Sequence, residues 1–256
     1  MRAFLVLLLV CGIAHSISLK AHAHNGQEPR VVIELDDQHA QSAGNLVTKF
    51  QLVDTVKNVT LADTDLATMQ NQKLQILIFD PALKVFQHLS ANFENGMWSS
   101  EAAIPTNGNY WFWAEGVISA DKTSFATNAR IEVINGAPQN TTPPVLTEAR
   151  SVVIDGTSIQ LGNSKIVAKK TTLLSFRFSH SDKSPVKLGN ILGGKAFMTI
   201  VSDDGDSINH AHVLPGNSPQ DLSAQLNLAD AGMYRAWVEY LEDGHLKTAE
   251  FAFEVF

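Results

Sequence analysis

Two stretches of the chain, GNYWFWAE at residues 108–115 and GMYRAWVE at residues 232–239, share the pattern Gly-x-Tyr-x-x-Trp-x-Glu. They lie 124 residues apart, and the same offset aligns His88 with His212 without a gap. A match at constant spacing indicates an internal duplication. The chain therefore reads as two copies of one folding unit.

Both copies have the residue pattern of β-strands. Apolar and polar residues alternate with a period of two, which places successive side chains on opposite faces of a strand. The clearest runs are AGNLVTKFQLVD, KLQILIFD and ARIEVI in the first copy, and TTLLSFRFSH, KAFMTIVSD and AEFAFEVF in the second. The stretch from Asp230 to Tyr234 also resembles the tyrosine corner of immunoglobulin-type sandwiches, and Thr106 to Tyr110 is a weaker version in the first copy.

The stretch NGAPQNTTPP at residues 135–144 separates the two copies. Its proline, asparagine and glycine residues favour turns and remove donors for strand pairing. The predicted fold is all-β, with two tandem immunoglobulin-like antiparallel β-sandwich domains after a signal peptide. The predicted boundaries are a signal peptide at 1–23, the first sandwich at 24–135, a linker at 136–144 and the second sandwich at 145–256.

The first 23 residues, MRAFLVLLLVCGIAHSISLKAHA, have the features of a secretory signal: an early Arg2, a short apolar run and the small-residue site Ala21-His22-Ala23. No later segment approaches the ~20 apolar residues that a membrane helix needs. Cys11 is the only cysteine and lies in this segment, so no disulfide is expected in the mature chain. We predict a periplasmic or secreted protein with no transmembrane segment.

Net charge and local motifs argue against three classes of ligand: nucleic acids, nucleotide phosphates and EF-hand calcium. Without the signal the chain has 17 basic and 26 acidic residues, a formal charge of −9. Nucleic acids bind basic patches, so no nucleic-acid partner is expected. Residues 189–195 fit G-x-x-x-x-G-K, but Ala196 stands where a phosphate loop needs Ser or Thr. Residues 203–206, DDGD, lack the later glutamate of an EF-hand loop. Both stretches are better explained as turns between strands.

The tryptophans invite two interpretations. Trp113 and Trp237 occupy the same position of the repeated strand, so we expect both to pack in the core of their sandwich. Trp98 and Trp111 have no such counterpart, and stacking on a sugar stays open for them.

His210 and His212 in SINHAHVLPG, residues 207–216, are the strongest candidates for a ligand site. Residues i and i+2 of a strand share one face about 6.6 Å apart, so both imidazoles can meet one copper or zinc ion. A structural zinc site takes four ligands, and the candidates to join the pair are His180, His245 and the acidic turn at residues 203–206. The offset of 124 aligns Phe86 with His210. Because the equivalent residue is apolar, it stays open that His210 and His212 are packed and hydrogen-bonded in the sheet without metal.

Cleavage after Ala23 would make His24 the N-terminal residue, where its α-amino group and imidazole could chelate copper. This arrangement resembles the histidine brace of copper-dependent polysaccharide oxygenases and of some periplasmic copper carriers. The resemblance implies that His24 would be a copper ligand. A tail that begins with histidine by chance is the alternative.

The second copy resembles a group of bacterial secreted sandwich domains associated with the handling of heavy metals such as copper. The residues that fit their pattern are Leu188, Gly189, His210, His212, Gly232, Tyr234, Arg235, Thr248 and Phe251. Two departures stand out: Lys195 or Ala196 replaces a histidine expected after Gly194, and Pro215 is separated from the H-x-H. If the family's site uses that histidine, metal affinity is reduced in this chain.

Three functions stay open. We favour an exported bacterial, non-catalytic binding protein that transiently binds or delivers copper or zinc, with a metal ion and a periplasmic protein as partners. The first alternative is a tandem interaction or adhesion module without metal. The second is an oxidative copper enzyme that uses His24. No G-x-S-x-G sequence and no cysteine outside the signal mark a nucleophile, so an enzyme is not the expectation.

Overall fold

The computed structural model describes residues 29–69, 72–138, 146–162, 164–184, 186–216 and 221–256. The predicted signal peptide, His24 and most of the predicted linker lie outside these residues. We call residues 29–138 the N-terminal half and residues 146–256 the C-terminal half.

The N-terminal half consists of two five-stranded sheets that enclose a hydrophobic core. One sheet has the order β1-β3-β8-β7 with β4 on β3, and the other has the order β2-β10-β9-β5-β6. A 3-10 turn lies at Asp63–Asp65. The strands are β1 Val31–Leu35, β2 Gln41–Ser42, β3 Gly44–Asp54, β4 Val59–Thr60, β5 Leu74–Phe79, β6 Phe86–Ser90, β7 Asn92–Glu94, β8 Met97–Ile104, β9 Gly108–Val117 and β10 Ser124–Ile134.

The C-terminal half has eight strands in the order β11-β12-β13-β16-β15-β14-β17-β18. Only two residue pairs join β15 to β16, and the strands on either side of this corner face each other across one core. The strands are β11 Ser151–Ile154, β12 Thr157–Leu161, β13 Thr172–His180, β14 Ala196–Ser202, β15 Ile208–Pro215, β16 Asp221–Leu226, β17 Gly232–Glu242 and β18 His245–Val255. The predicted all-β, antiparallel sandwich fold is confirmed; among the named strands of the described chain, only β2 and β10 pair in parallel.

Both predicted tyrosine corners form. The Tyr234 hydroxyl donates to the Asp230 carbonyl at 3.0 Å, and the Tyr110 hydroxyl donates to the Thr106 carbonyl at 3.2 Å. Burial raises the pKa of Tyr234 to about 12, with the nearby Asp230 as a further cause. Each corner fixes the start of its strand, and the tyrosine ring points into the core.

The two stretches that resemble nucleotide and calcium loops are turns, as predicted. Ile191 and Gly194 exchange backbone hydrogen bonds of 2.9 Å, and strand β14 rather than a helix follows. Residues 203–206 form the turn between β14 and β15, in which Asp204 accepts from Ser202 and from the backbone of Asp206.

Every strand pair in the described residues joins strands of the same half. The division into two independently folding domains at residues 136–144 stays a prediction. No helix within the described ranges is long and apolar enough to cross a membrane.

Candidate functional site

The two halves meet through the outer faces of one sheet from each sandwich. Strands β5 and β14 are buried along their whole length, because one face packs in the core of its own half and the other face packs against the other half. The apolar residues of this contact form a separate cluster, which contains Leu77, Phe79, Leu83, Trp111, Trp113, Val201, Ile208 and Trp237. We call this contact the inter-half interface.

Trp113 and Trp237 are buried, but in this interface and not in the sandwich cores as expected. The cause is strand parity. Tyr110 and Tyr234 point into the cores, and a side chain three positions further along a strand must point to the opposite face. Aromatic stacking then joins the halves: the rings of Phe86 and Trp237 lie 4.4 Å apart at an angle of 8°.

Two histidine–glutamate pairs cross the interface in opposite directions. His88 Nδ1 lies 2.7 Å from Glu239 Oε2, and His210 Nε2 lies 2.5 Å from Glu115 Oε2. The four side chains are between 2% and 6% exposed. The first pair is a hydrogen bond. The second pair is a close contact in which neither atom makes a hydrogen bond within the described chain.

The strand registers show that these pairs are related by a pseudo-two-fold exchange. In the N-terminal half, Leu77 faces both His88 and Trp113. In the C-terminal half, Thr199 faces both His210 and Trp237.

His88 is therefore equivalent to His210, and the gapless match of His88 with His212 is wrong by two residues in β15. The expected alignment of Phe86 with His210 is also wrong, because Phe86 is equivalent to Ile208. The offset of 124 holds between β9 and β17, but a two-residue difference in the connecting segments changes it to 122 between β5 and β14.

Several buried polar atoms of this interface have no hydrogen-bond partner within the described chain. They are His88 Nε2, Trp113 Nε1, both Glu115 carboxylate oxygens, His210 Nε2 and Trp237 Nε1. Burying polar groups without hydrogen bonds is costly. Phe197 contributes the aromatic surroundings of the histidines, with ring centroids 5.4 Å from His88 and 5.0 Å from His210.

The acidic turn of the C-terminal half, residues 203–206, packs against the N-terminal half. A Cβ atom on Gly205 would lie 2.3 Å from Trp111 Nε1, and the φ angle of Gly205 is +78°. The guanidinium of Arg130 lies 3.0 Å above the Trp111 ring. Burial lowers the pKa of Arg130, and the charge of Asp206 opposes that shift. Trp111 is therefore enclosed by protein.

His212 lies beside His210 on β15 but makes different contacts. Its ring is 5.4 Å from Phe197 in an edge-on arrangement. Burial lowers the pKa of His212; a hydrogen bond with the Leu192 backbone opposes this shift, and the charge of His210 adds to it. The neutral imidazole is favoured, which is the form that binds metal ions.

His180 and His245 lie at one end of the C-terminal half. His180 Nδ1 is 3.5 Å from Thr157 Oγ1 and 3.9 Å from Glu242 Oε1. His245 pairs with Glu242 across the β17–β18 hairpin and its side chain is exposed. Glu242 itself accepts hydrogen bonds from Thr157 at 2.8 Å and from Lys247 at 3.1 Å. This end is a hydrogen-bonded ionic cluster.

The described residues contain no group of three or more His, Cys, Asp or Glu side chains arranged to hold a metal ion. Both ring nitrogens of His210 are covered, since Thr199 Oγ1 lies 3.3 Å from Nδ1 and Glu115 lies against Nε2. His210 and His212 alone do not form a closed metal site in this structure.

The sequence analysis missed His88, Glu115 and Glu239 as site residues. The signal was present, because both glutamates end the repeated Gly-x-Tyr-x-x-Trp-x-Glu pattern on the same face as the tryptophan. A tryptophan that faces outward in both copies indicates a face that another surface covers.

Comparison with known proteins gives one family match. A family model described as a domain of unknown function, DUF8832, matches residues 151–256, the C-terminal half without its first five residues. No curated protein matches the chain.

The solved structures to which this chain is similar share little sequence with it. A putative membrane anchored protein from Corynebacterium diphtheriae is 10% identical, with 90% of this chain and 59% of that chain covered and a TM-score of 0.25. The Escherichia coli adhesin FdeC is 13% identical, with 90% and 65% covered and a TM-score of 0.27. The FN1–FN3 domains of chicken CNTN1 are 11% identical, with 90% and 69% covered and a TM-score of 0.26. The chain spans less than two thirds of the first two of these structures.

Proposed function

We propose that this chain is an exported bacterial binding protein without catalytic activity, in which the two sandwiches pack against each other and an outer sheet face contacts a periplasmic or extracellular protein. The observation that carries the proposal is the inter-half interface. The side chains best suited to acid–base chemistry, His88, His210, Glu115 and Glu239, contact one another and are at most 6% exposed. In this conformation they join the two sandwiches and are covered from substrates.

The outer face of strands β11 to β13 is the candidate contact surface. Val153 and Leu173 are each 65% exposed there. Beside Leu173, a shallow groove of about 310 Å³ is lined by Gln160, Ser175, Arg177 and neighbouring residues. Exposed aliphatic side chains beside polar and guanidinium groups suit a protein partner, since interfaces combine apolar contacts with a polar rim.

Site-specific photo-crosslinking in cells tests this assignment. A benzophenone amino acid at Leu173 or Val153 should give a discrete adduct of one partner. The same residue at Val56, which is 77% exposed in the N-terminal half, is the matched control and should give none. Adducts from Val56 only, or from none of the three positions, would contradict the proposed surface.

Transient binding of copper or zinc by His210 and His212 is a second candidate function. It is favoured by the half-buried position of His212 beside His210 on one strand face, where burial lowers the pKa of His212 and so favours its neutral form. Imidazole nitrogen suits both ions. Titration of Cu(II) and Zn(II) into the chain and into the double variant His210→Ala/His212→Ala at pH 7.5 tests it. Equal binding by the two proteins would exclude the pair as the site.

A further inference from the structure

We infer that the outer face of β11 to β13 binds an acidic segment of the partner protein, which four lysine and arginine side chains at one end of this face attract. This inference rests on the first proposed function and adds the chemistry of the partner. We call these four residues the basic end. They are Lys165, Lys169, Lys170 and Arg177, and all four are exposed.

The basic end differs in charge from the rest of the chain. From residue 146 to the end of β13 at His180, the sequence contains five basic and two acidic residues. The whole chain contains 19 basic and 26 acidic residues, so the remainder contains 14 basic and 24 acidic residues. An acidic partner is therefore attracted to this part of the surface and repelled by most of the remainder.

Other described side chains do not neutralise the basic end. Within the described residues none of its four cations forms an ion pair, whereas the neighbouring Arg150 pairs with Glu148 at 2.6 Å. The strand register places one acidic residue, Asp221 of β16, opposite Arg177. One acidic residue beside four basic ones leaves a net positive charge for a partner to neutralise.

The loop that carries the three lysines is held in place by contacts with the rest of the C-terminal half. Ile166 is buried in the core, and the Lys169 backbone N–H donates to the Leu228 carbonyl at 2.7 Å. The Arg150 guanidinium donates to the Gly162 carbonyl at the start of the loop, also at 2.7 Å. Lysines on a fixed backbone lose less entropy on binding than lysines on a flexible loop.

Leu173 makes this surface suited to a protein segment. It is 65% exposed, it follows Lys170 by three residues, and Arg177 lies four residues further along the same strand. Residues i and i+4 of a strand share one face about 13 Å apart. Ser175, between them, lines the groove of about 310 Å³ together with Gln160 and Arg177. An extended segment with carboxylates on both sides of an apolar side chain would contact all of these groups.

The experiment uses the benzophenone amino acid at Leu173 in cells and removes charge from the basic end. The test variant replaces its three lysines: Lys165→Gln, Lys169→Gln and Lys170→Gln. The matched control replaces three exposed lysines of the N-terminal half: Lys49→Gln, Lys57→Gln and Lys84→Gln. We expect the adduct yield to fall about fivefold or more in the test variant and to stay unchanged in the control, since complementary charges favour association. Replacing the same three lysines of the basic end with arginine keeps the charge and should keep the yield.

Two further measurements identify the chemistry of the partner. Mass spectrometry of the adduct should locate the crosslink in a segment with more Asp and Glu than Lys and Arg. A synthetic peptide of that segment should bind the purified full chain, and replacing its carboxylates with amides should weaken binding about fivefold or more. Circular dichroism checks that each variant folds, and Arg177→Gln is the test variant that decides the comparison if the triple lysine variant does not fold.

The outcomes separate the acidic partner from the contact surface. Equal yields in the test variant and the unmodified chain, equal losses in the test variant and the control, or a crosslinked segment without an acidic excess would refute the acidic partner and leave the surface in place. An adduct that proteases do not digest would assign the surface to a polysaccharide or lipid and refute this inference. The absence of an adduct at both Leu173 and Val153 would refute the proposed function and this inference with it.

Discussion

Replacing Gly205 with alanine tests whether the two halves meet as described. Gly205 has a φ of +78°, and an added Cβ would lie 2.3 Å from Nε1 and 2.7 Å from Cε2 of Trp111 in the other half. Two costs are expected. The left-handed backbone costs a residue with a Cβ roughly 1 kcal/mol, and overpacking a filled site costs about 1–3 kcal/mol.

A control separates these two costs. Gly244 has a φ of +80° in the β17–β18 turn, and nothing lies within 4 Å of the position that a Cβ atom would take there. Gly244→Ala therefore carries the backbone cost alone. We expect a loss of about 1 kcal/mol in the free energy of unfolding for Gly244→Ala and about 2–4 kcal/mol for Gly205→Ala.

Urea denaturation monitored by circular dichroism measures both losses. The Trp111→Leu background is the second control, because a smaller side chain makes room for the new methyl group. In that background Gly205→Ala should cost no more than Gly244→Ala. Equal losses for the two glycine variants in the unmodified background would refute the contact between the acidic turn and Trp111, and with it this docking of the halves.

Three other predictions follow from named contacts. Tyr234→Phe should lower the free energy of unfolding by about 1–3 kcal/mol, since the Asp230 carbonyl loses its donor, and an unchanged urea midpoint would contradict the corner. His88→Ala should lower the free energy of unfolding by about 3–5 kcal/mol, because it leaves Glu239 buried without a partner. The double variant His88→Ala/Glu239→Gln should lose less stability than His88→Ala alone. Additive losses in a double-mutant cycle would show that the pair is not coupled. Burial lowers the pKa of His212 in the folded chain, so its contribution to stability is present above the unfolded value of about 6.5 and is lost as pH falls below it; urea midpoints from pH 7.5 to 5 should fall less in His212→Gln than in the unmodified chain.

The sequence predicted the fold from local patterns. Period-two alternation marked the strands, and the repeated Gly-x-Tyr placed a corner hydrogen bond in each half. Both features depend on residues that are close in the sequence, so each can be recognised within the sequence of a single strand and its adjoining turn. Parity along the same strands also assigns Trp113 and Glu115 to the face opposite Tyr110, although the sequence analysis did not use it.

The partners of the site residues could not be read from the sequence. His88 and Glu239 are 151 residues apart, and their contact depends on how two sheet faces dock. The equivalence of His88 with His210 depends on strand register, which a two-residue difference between connecting segments changed while the repeated motif stayed aligned. The sequence by itself determined the strands, the duplication and the residues available on each face. Only the tertiary structure decided which imidazole meets which carboxylate, because that choice is made by packing between surfaces distant in the chain.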